Sequence, residues 1–200
     1  PASPPPTGIT LAAPDANVGW NLLLDETFDA NQNQWPVTYS SQGEALFYQS
    51  DLFQDQYLIF AQRKSGERPQ VSRLIDLNAG LQFMISAVVT QEGNSASDCG
   101  LAVSTQDEAQ GLVFGVSAAE RTFRVLKKEA GGDWEEILGW TSSQAINTGQ
   151  ANQLSWRSDS EGLILYMNDQ QVGALALPGL DVQRLGFSAS SGSEVPVMCY

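Results

Sequence analysis

The chain has 200 residues, a length that suits a single all-β domain with a core large enough to fold without a metal. Its 10 basic and 23 acidic residues give a net charge of −13, which argues against nucleic-acid and membrane-surface roles because such a surface repels phosphate groups. The chain has no histidine, so Ser-His-Asp and Cys-His nucleophile systems and the usual zinc sites are excluded. No apolar run is long enough to insert into a membrane.

Residues 1–19 carry five of the nine prolines and show no strong apolar period. This composition predicts an extended tether in front of a folded domain over residues 20–200. Such a tether could join the domain to a cell-surface anchor or pack on a neighbouring subunit. Assembly contacts through residues 1–19 are therefore part of the prediction.

Short apolar runs closed by turn residues follow one another along the rest of the chain, and they predict strands. Five such runs fill residues 112–177 and predict an antiparallel meander. No segment has a helical period, so we expect an antiparallel sandwich of two sheets, a jelly roll with very little helix. The other predicted strands cover residues 22–28, 44–49, 57–63, 71–77, 81–91, 99–105, 184–190 and 195–200.

The two cysteines, Cys99 and Cys199, both lie in strand-like runs. They could be buried thiols, or they could form one disulfide between a middle strand and the last strand. The disulfide is preferred because other features point outside the cytoplasm.

Four stretches resemble the concanavalin A-like, laminin G-like jelly rolls of bacterial extracellular proteins. The closest branch is that of the family-16-like glycoside hydrolase and 3-keto-disaccharide hydrolase domains. The resemblance covers about nine-tenths of the chain, and it implies a β-sandwich at the cell surface or in the extracellular space. It does not select a function, because this sandwich hosts sugar binding, glycan cleavage, sensing and adhesion. The stretches are residues 24–29 with Trp35, residues 99–116, residues 140–149 with 152–154, and residues 163–172 with 185–187.

A family-16 glycoside hydrolase would carry Glu-x-Asp-x-x-Glu on one strand, and the chain lacks this pattern. The nearest acidic cluster is Glu135 and Glu136 beside Asp133, where solvated charge is the preferred interpretation. Asp25, Glu26 and Asp29 form a second acidic group, for which loop solvation is preferred to a Ca²⁺ site. The sequence therefore predicts a protein that is not an enzyme, with no cofactor other than a weakly indicated Ca²⁺.

Carbohydrate recognition needs an exposed aromatic plane next to polar groups, because pyranose faces are apolar and their edges are polar. Trp134 follows the turn at residues 131–133 and is the tryptophan expected to be exposed. For Tyr48 and Tyr166, ordinary cross-strand pairing on a sheet face is preferred to a ligand contact. Further candidates for the concave sheet are Tyr48, Tyr166, Arg124 and Arg157, whereas the tryptophans expected in the core are Trp35, Trp140 and Trp156.

The leading hypothesis is therefore a non-catalytic extracellular recognition module for a glycan. The alternative is a structural or protein-interaction subunit of a cell-surface assembly, with a cell-surface protein as its partner. A glycoside hydrolase is the weakest of the three hypotheses.

Overall fold

The computed structural model describes residues 9–15, 19–42, 46–52, 54–63, 70–93, 96–159, 161–177 and 179–200, and these contain no helix. None of the described segments is therefore a helix that could span a membrane. The strands are β1 (Ile9–Asp15), β2 (Gly19–Glu26), β3 (Thr38–Gln42), β4 (Leu46–Leu52), β5 (Tyr57–Arg63), β6 (Gln70–Gly80), β7 (Phe83–Val89), β8 (Gln91–Gly93), β9 (Asp98–Ser104), β10 (Gly111–Ser117), β11 (Thr122–Lys128), β12 (Trp134–Ser142), β13 (Asn152–Asp159), β14 (Gly162–Met167), β15 (Gln170–Leu175), β16 (Val182–Ser190) and β17 (Val197–Cys199).

The strands form three antiparallel sheets. Sheet 1 has the order β15-β14-β13-β7-β1-β2, and sheet 2 has the order β12-β11-β10-β9-β16-β6. Sheet 3 has the order β3-β4-β5-β17-β8. The prediction of an all-β antiparallel sandwich is confirmed.

Side chains alternate between the two faces of each strand, and those on the inner faces pack in one core that all three sheets share. Trp156 of β13 and Phe114 of β10 are fully buried there, together with Ile59 of β5. At roughly 25 cal/mol per Å² of apolar surface, such large side chains supply most of the stabilisation. Trp35 is also buried, so the prediction of core positions for Trp35 and Trp156 is confirmed.

The predicted tether over residues 1–19 is wrong for its central part, because Ile9–Asp15 forms strand β1 inside sheet 1. β1 pairs with β2 on one side and with β7 on the other. Only Ile9, Thr10 and Leu11 alternate here, because Ala12 and Ala13 follow, and three residues are too few to predict a strand. Residues 1–8 and 16–18 lie outside the described residues.

The strands between residues 112 and 177 do not form one continuous meander. β10, β11 and β12 are neighbours in sheet 2, whereas β13, β14 and β15 are neighbours in sheet 1. The segment 143–151 carries the chain from one sheet to the other. Asn152 holds this crossover, because its side chain bonds the backbone of Asn147 at 2.7 and 2.9 Å.

Cys99 and Cys199 are joined by a disulfide, with their Cα atoms 5.5 Å apart. It connects β9, in the middle of sheet 2, to β17 of sheet 3. Both cysteines are buried.

The acidic group at the end of β2 organises a loop. Glu26 is buried, and its carboxylate accepts hydrogen bonds from the Phe28 amide (2.9 Å), the Asn33 side chain (2.6 Å) and the Trp35 indole (3.0 Å). Solvation was the wrong expectation for Glu26, although Asp25 and Asp29 are exposed. The described residues include no group of three or more acidic or cysteine side chains placed to hold a metal ion.

Candidate functional site

The outer face of sheet 2, which points away from the shared core, is built from rows of residues that face each other across five strands. The central row is apolar and forms a second, smaller cluster under Trp134. The rows on both sides of it are polar, charged or small. In the order β11, β10, β9, β16, β6, the rows are Arg124-Gly115-Gly100-Ser188-Ser72, Leu126-Val113-Ala102-Gly186-Leu74 and Lys128-Gly111-Ser104-Arg184-Asp76.

Small residues on the central strands leave room for large side chains that lean over them. A Cβ atom on Gly115 would lie 3.1 Å from the carboxyl carbon of Asp98, and one on Gly111 would lie 3.1 Å from the Trp134 ring. Glycine at these two positions therefore lets the buried carboxylate and the indole lie close to the sheet.

A pocket of about 130 Å³ lies at the Trp134 end of this face. We refer to it as the Trp134 pocket. Leu74 and Ala102 form its apolar floor, and the half-buried Trp134 forms one wall. Its polar lining includes Gln70, Ser72, Ser104 and Lys128.

Two neutral polar side chains of the pocket have buried atoms without a hydrogen-bond partner in the protein. They are the amide nitrogen of Gln70 and the hydroxyl of Ser72, and the hydroxyl of Ser188, beside Ser72 in the same row, shares this condition. A buried polar atom without a partner costs about 1–3 kcal/mol. Such groups are therefore candidates for ligand or water contacts.

Arg124 lies at the other end of the same face. Its guanidinium contacts the carboxylate of Asp98 at 2.6 Å, the carboxylate of Glu136 at 3.1 Å and the side-chain oxygen of Gln70 at 3.4 Å. Asp98 is completely buried and Arg124 almost so, whereas Glu136 is half exposed. Arg124 is therefore a buried and paired group, and it could reach a ligand only through these partners.

The loop between β9 and β10 lies at the mouth of the pocket. Arg184 contacts the carboxylate of Glu108, and Lys128 donates to the backbone carbonyl of Glu108 at 3.1 Å. Within the loop, hydrogen bonds from the Thr105 hydroxyl and the Ala109 amide hold the pKa of Asp107 below its usual value. Of the cationic groups at this mouth, Arg184 is therefore paired with a carboxylate, and Lys128 is hydrogen-bonded to a neutral carbonyl.

Trp140 lies on this outer face as well, which corrects the prediction that it packs in the core. Its side chain is 38% exposed, and the Arg124 guanidinium lies 4.9 Å from the centre of its ring. Trp140 lies six residues beyond the outward-facing Trp134 on β12, so a period of two places both rings on one face. The two register shifts between β11 and β12 leave this unchanged, because each shift moves the alternation by one residue.

The five predicted ligand residues do not share one face. Trp134 and Arg124 lie on the outer face of sheet 2. Tyr166 and Arg157 belong to β14 and β13 of sheet 1, and Tyr48 lies on β4 of sheet 3, 4.3 Å from the Arg73 guanidinium. The alternation that suggested the grouping recurs in every sheet, so it could not assign residues to sheets. The sequence also missed Gln70 and Ser72, for which it gave no signal.

No protein-family model matches the chain, and no curated protein matches it in sequence. Solved structures do match. The catalytic domain of an endo-1,3-beta-glucanase (laminarinase) from Thermotoga petrophila is 10% identical, with 90% of this chain and 94% of that chain covered and a TM-score of 0.59. The chain has a concanavalin A-like jelly-roll fold.

Two further jelly rolls support this assignment. The kappa-carrageenase from Pseudoalteromonas carrageenovora, solved with an oligotetrasaccharide of kappa-carrageenan, is 8% identical, with 87% and 89% of the two chains covered and a TM-score of 0.55. The beta-glucanase of Bacillus licheniformis is 9% identical, with 88% and 93% covered and a TM-score of 0.52. At these identities the likeness shows the fold alone.

Proposed function

We propose that the chain is a non-catalytic carbohydrate-binding module and that the Trp134 pocket holds the glycan. One observation carries the proposal. An indole ring and an apolar floor stand beside the buried, unpartnered polar atoms of Gln70 and Ser72.

This combination suits a sugar better than it suits a purely apolar or a charged ligand. The apolar face of a pyranose can stack on Trp134, while its hydroxyl groups can bond the Gln70 amide and the Ser72 hydroxyl. The described cations around the pocket, Lys128 and Arg184, already have partners, and the net charge is −13. We therefore expect an uncharged glycan.

The jelly-roll neighbours support a glycan ligand in general terms, because two of them are named for glucan cleavage and a third holds a carrageenan oligosaccharide. The buried disulfide supports a protein of an oxidising compartment. We accordingly place the module outside the cell or on its surface.

We propose binding without catalysis and without a metal. Glycoside hydrolysis needs two carboxyl groups that both reach the scissile bond. Asp98 is completely buried beneath Arg124, while Glu136 is engaged by the same guanidinium. The proposed sugar contacts are an aromatic ring, an amide and a hydroxyl, none of which needs Ca²⁺.

The test is a broad glycan array, probed once with Ca²⁺ and once with chelator. We expect saturable binding in both conditions, at least tenfold weaker binding for Trp134→Ala, and no shortening of the bound glycan. Met84→Ala is the matched control, because Met84 is exposed on the outer face of sheet 1.

A blank array in both conditions would refute the proposal and would favour the assembly-subunit hypothesis. Binding lost with chelator would contradict the metal-free site. Product release that is abolished by Glu136→Gln would make the chain a glycoside hydrolase.

A further inference from the structure

The edge strand β12 carries three side chains that point to the same side as the Trp134 pocket. Trp134 forms the pocket wall, the Glu136 carboxylate contacts Arg124, and the Trp140 ring lies over the same guanidinium. These three residues form a rim, which we call the β12 rim. Along the strand, the rim presents an aromatic ring, then a carboxylate, then a second aromatic ring.

We propose that the binding site continues from the Trp134 pocket along the β12 rim to Trp140, so that the ligand is an extended oligosaccharide chain rather than a single sugar. This inference rests on the proposed function. It adds a second aromatic platform to the site, and it defines the length of the ligand.

The distance along the strand suits a chain. Trp134 and Trp140 are six residues apart, and a strand rises about 3.3 Å per residue, so the two rings can be separated by up to about 20 Å. The bulges in β12 shorten this span somewhat. One sugar cannot contact both rings at such a separation, whereas a chain of several units can.

The Trp140 platform is held in position before any ligand arrives. Arg124 lies against one side of the ring at 4.9 Å, and Arg124 is itself fixed by the completely buried carboxylate of Asp98 at 2.6 Å. The ring is nevertheless 38% exposed, so part of it can contact a sugar. A platform that needs no ordering on binding retains more of its contact energy as affinity.

Glu136 supplies the polar contacts between the two platforms. Its side chain is 45% exposed although one oxygen accepts a bond from Arg124. The exposed carboxylate can accept hydrogen bonds from the hydroxyl groups of a neutral chain, and it repels sulfated or carboxylated sugars. An extended neutral glycan therefore matches the whole rim.

The experiment is titration calorimetry with two neutral series of one to six units, β-1,3-linked glucose and β-1,4-linked galactose oligosaccharides. We expect the affinity for at least one series to rise tenfold or more between the disaccharide and the hexasaccharide. Trp140→Ala should remove this rise and leave disaccharide affinity unchanged, whereas Trp140→Phe should restore most of it. Trp134→Ala should weaken every length.

Met84→Ala is the control for exposure, since Met84 is 40% exposed on the opposite outer face. Thermal unfolding of each variant shows whether Trp140→Ala keeps its fold, and the Trp140→Phe variant keeps the comparison valid if it does not. Equal affinity for the disaccharide and the hexasaccharide, or a length dependence unchanged in folded Trp140→Ala, overturns the extended site while the Trp134 pocket stands. Failure of both series to bind, with binding of single sugars or disaccharides on the array, overturns the extended site alone, whereas a blank array overturns the proposed function and the extended site together.

Discussion

The two outer faces of the sandwich follow the same alternation of side chains, but they differ in the residues at their central positions, and the Trp134 pocket lies on the outer face of sheet 2. On sheet 2 the central strands present glycine, alanine and serine, so large side chains from the neighbouring strands can lean inward. On sheet 1 the central positions hold Ser86 and Ser155, whose hydroxyls bond each other at 2.7 Å, and the exposed Met84. The glycines of sheet 2 and its serine hydroxyls without a protein partner, rather than the strand pattern, therefore distinguish the face that carries the pocket.

The largest expected effect concerns the disulfide that anchors the central strand of sheet 2. Replacing both Cys99 and Cys199 by alanine opens a loop of 100 residues, so we expect a loss of about 4–5 kcal/mol in the free energy of unfolding. Urea unfolding measures the loss. Hydrogen exchange should show that β9 loses more protection than β13, because the crosslink holds only sheet 2 to sheet 3. Equal loss in both strands would contradict a difference between the two sheets.

The next effect compares the ion pairs on the two outer faces. Asp98→Ala leaves the buried Arg124 with the half-exposed Glu136 as its remaining carboxylate partner, and we expect a cost of about 3–5 kcal/mol. The matched control is Asp159→Ala on sheet 1, whose partner Arg157 is 39% exposed, with an expected cost of about 1 kcal/mol or less. Urea unfolding of both variants provides the comparison. Similar costs would show that the buried and the exposed ion pair contribute equally to stability, which would contradict the difference between the two faces.

The smallest expected effect on stability concerns one central residue on each outer face, Gly100 on sheet 2 and Ser155 on sheet 1. A Cβ atom on Gly100 would lie 2.0 Å from the backbone oxygen of Phe114, so Gly100→Ala should destabilise the protein by about 3 kcal/mol. Ser155→Ala, at the corresponding central position of sheet 1, removes one hydroxyl bond and should cost about 1 kcal/mol. Thermal unfolding of the two variants measures the difference. A neutral Gly100→Ala would contradict the requirement for small residues on the outer face of sheet 2.

Much of the fold could be predicted, because strand positions depend on local patterns. Residues 57–63 were predicted as a strand and are β5, and residues 99–105 differ from β9 by one residue at each end. The choice of sheet could not be predicted, because a period of two is identical in both sheets and the crossover at 143–151 has no distinctive composition.

The candidate site was less predictable than the fold. The turn before Trp134 predicted that this tryptophan is exposed, but Trp134 is half-buried against Leu74 and Ala102, and Trp140 is the more exposed of the two. The spacing of six residues from Trp134 places Trp140 on the same face, a signal that the prediction of a core position overlooked, whereas the contribution of Gln70 depends on a neighbour 54 residues away, Arg124. Long-range pairing of this kind leaves no mark in a single sequence.

The position of β1 has a consequence for the order in which the protein forms during synthesis. β1 and β2 leave the ribosome before β7, but β1 lies between β2 and β7, and β7 begins about 70 residues later. One edge of the β1–β2 hairpin therefore stays unpaired until β7 has been synthesised. We expect this early hairpin to be the part of the nascent chain that most needs protection from aggregation, and slow long-range pairing to govern its folding rate.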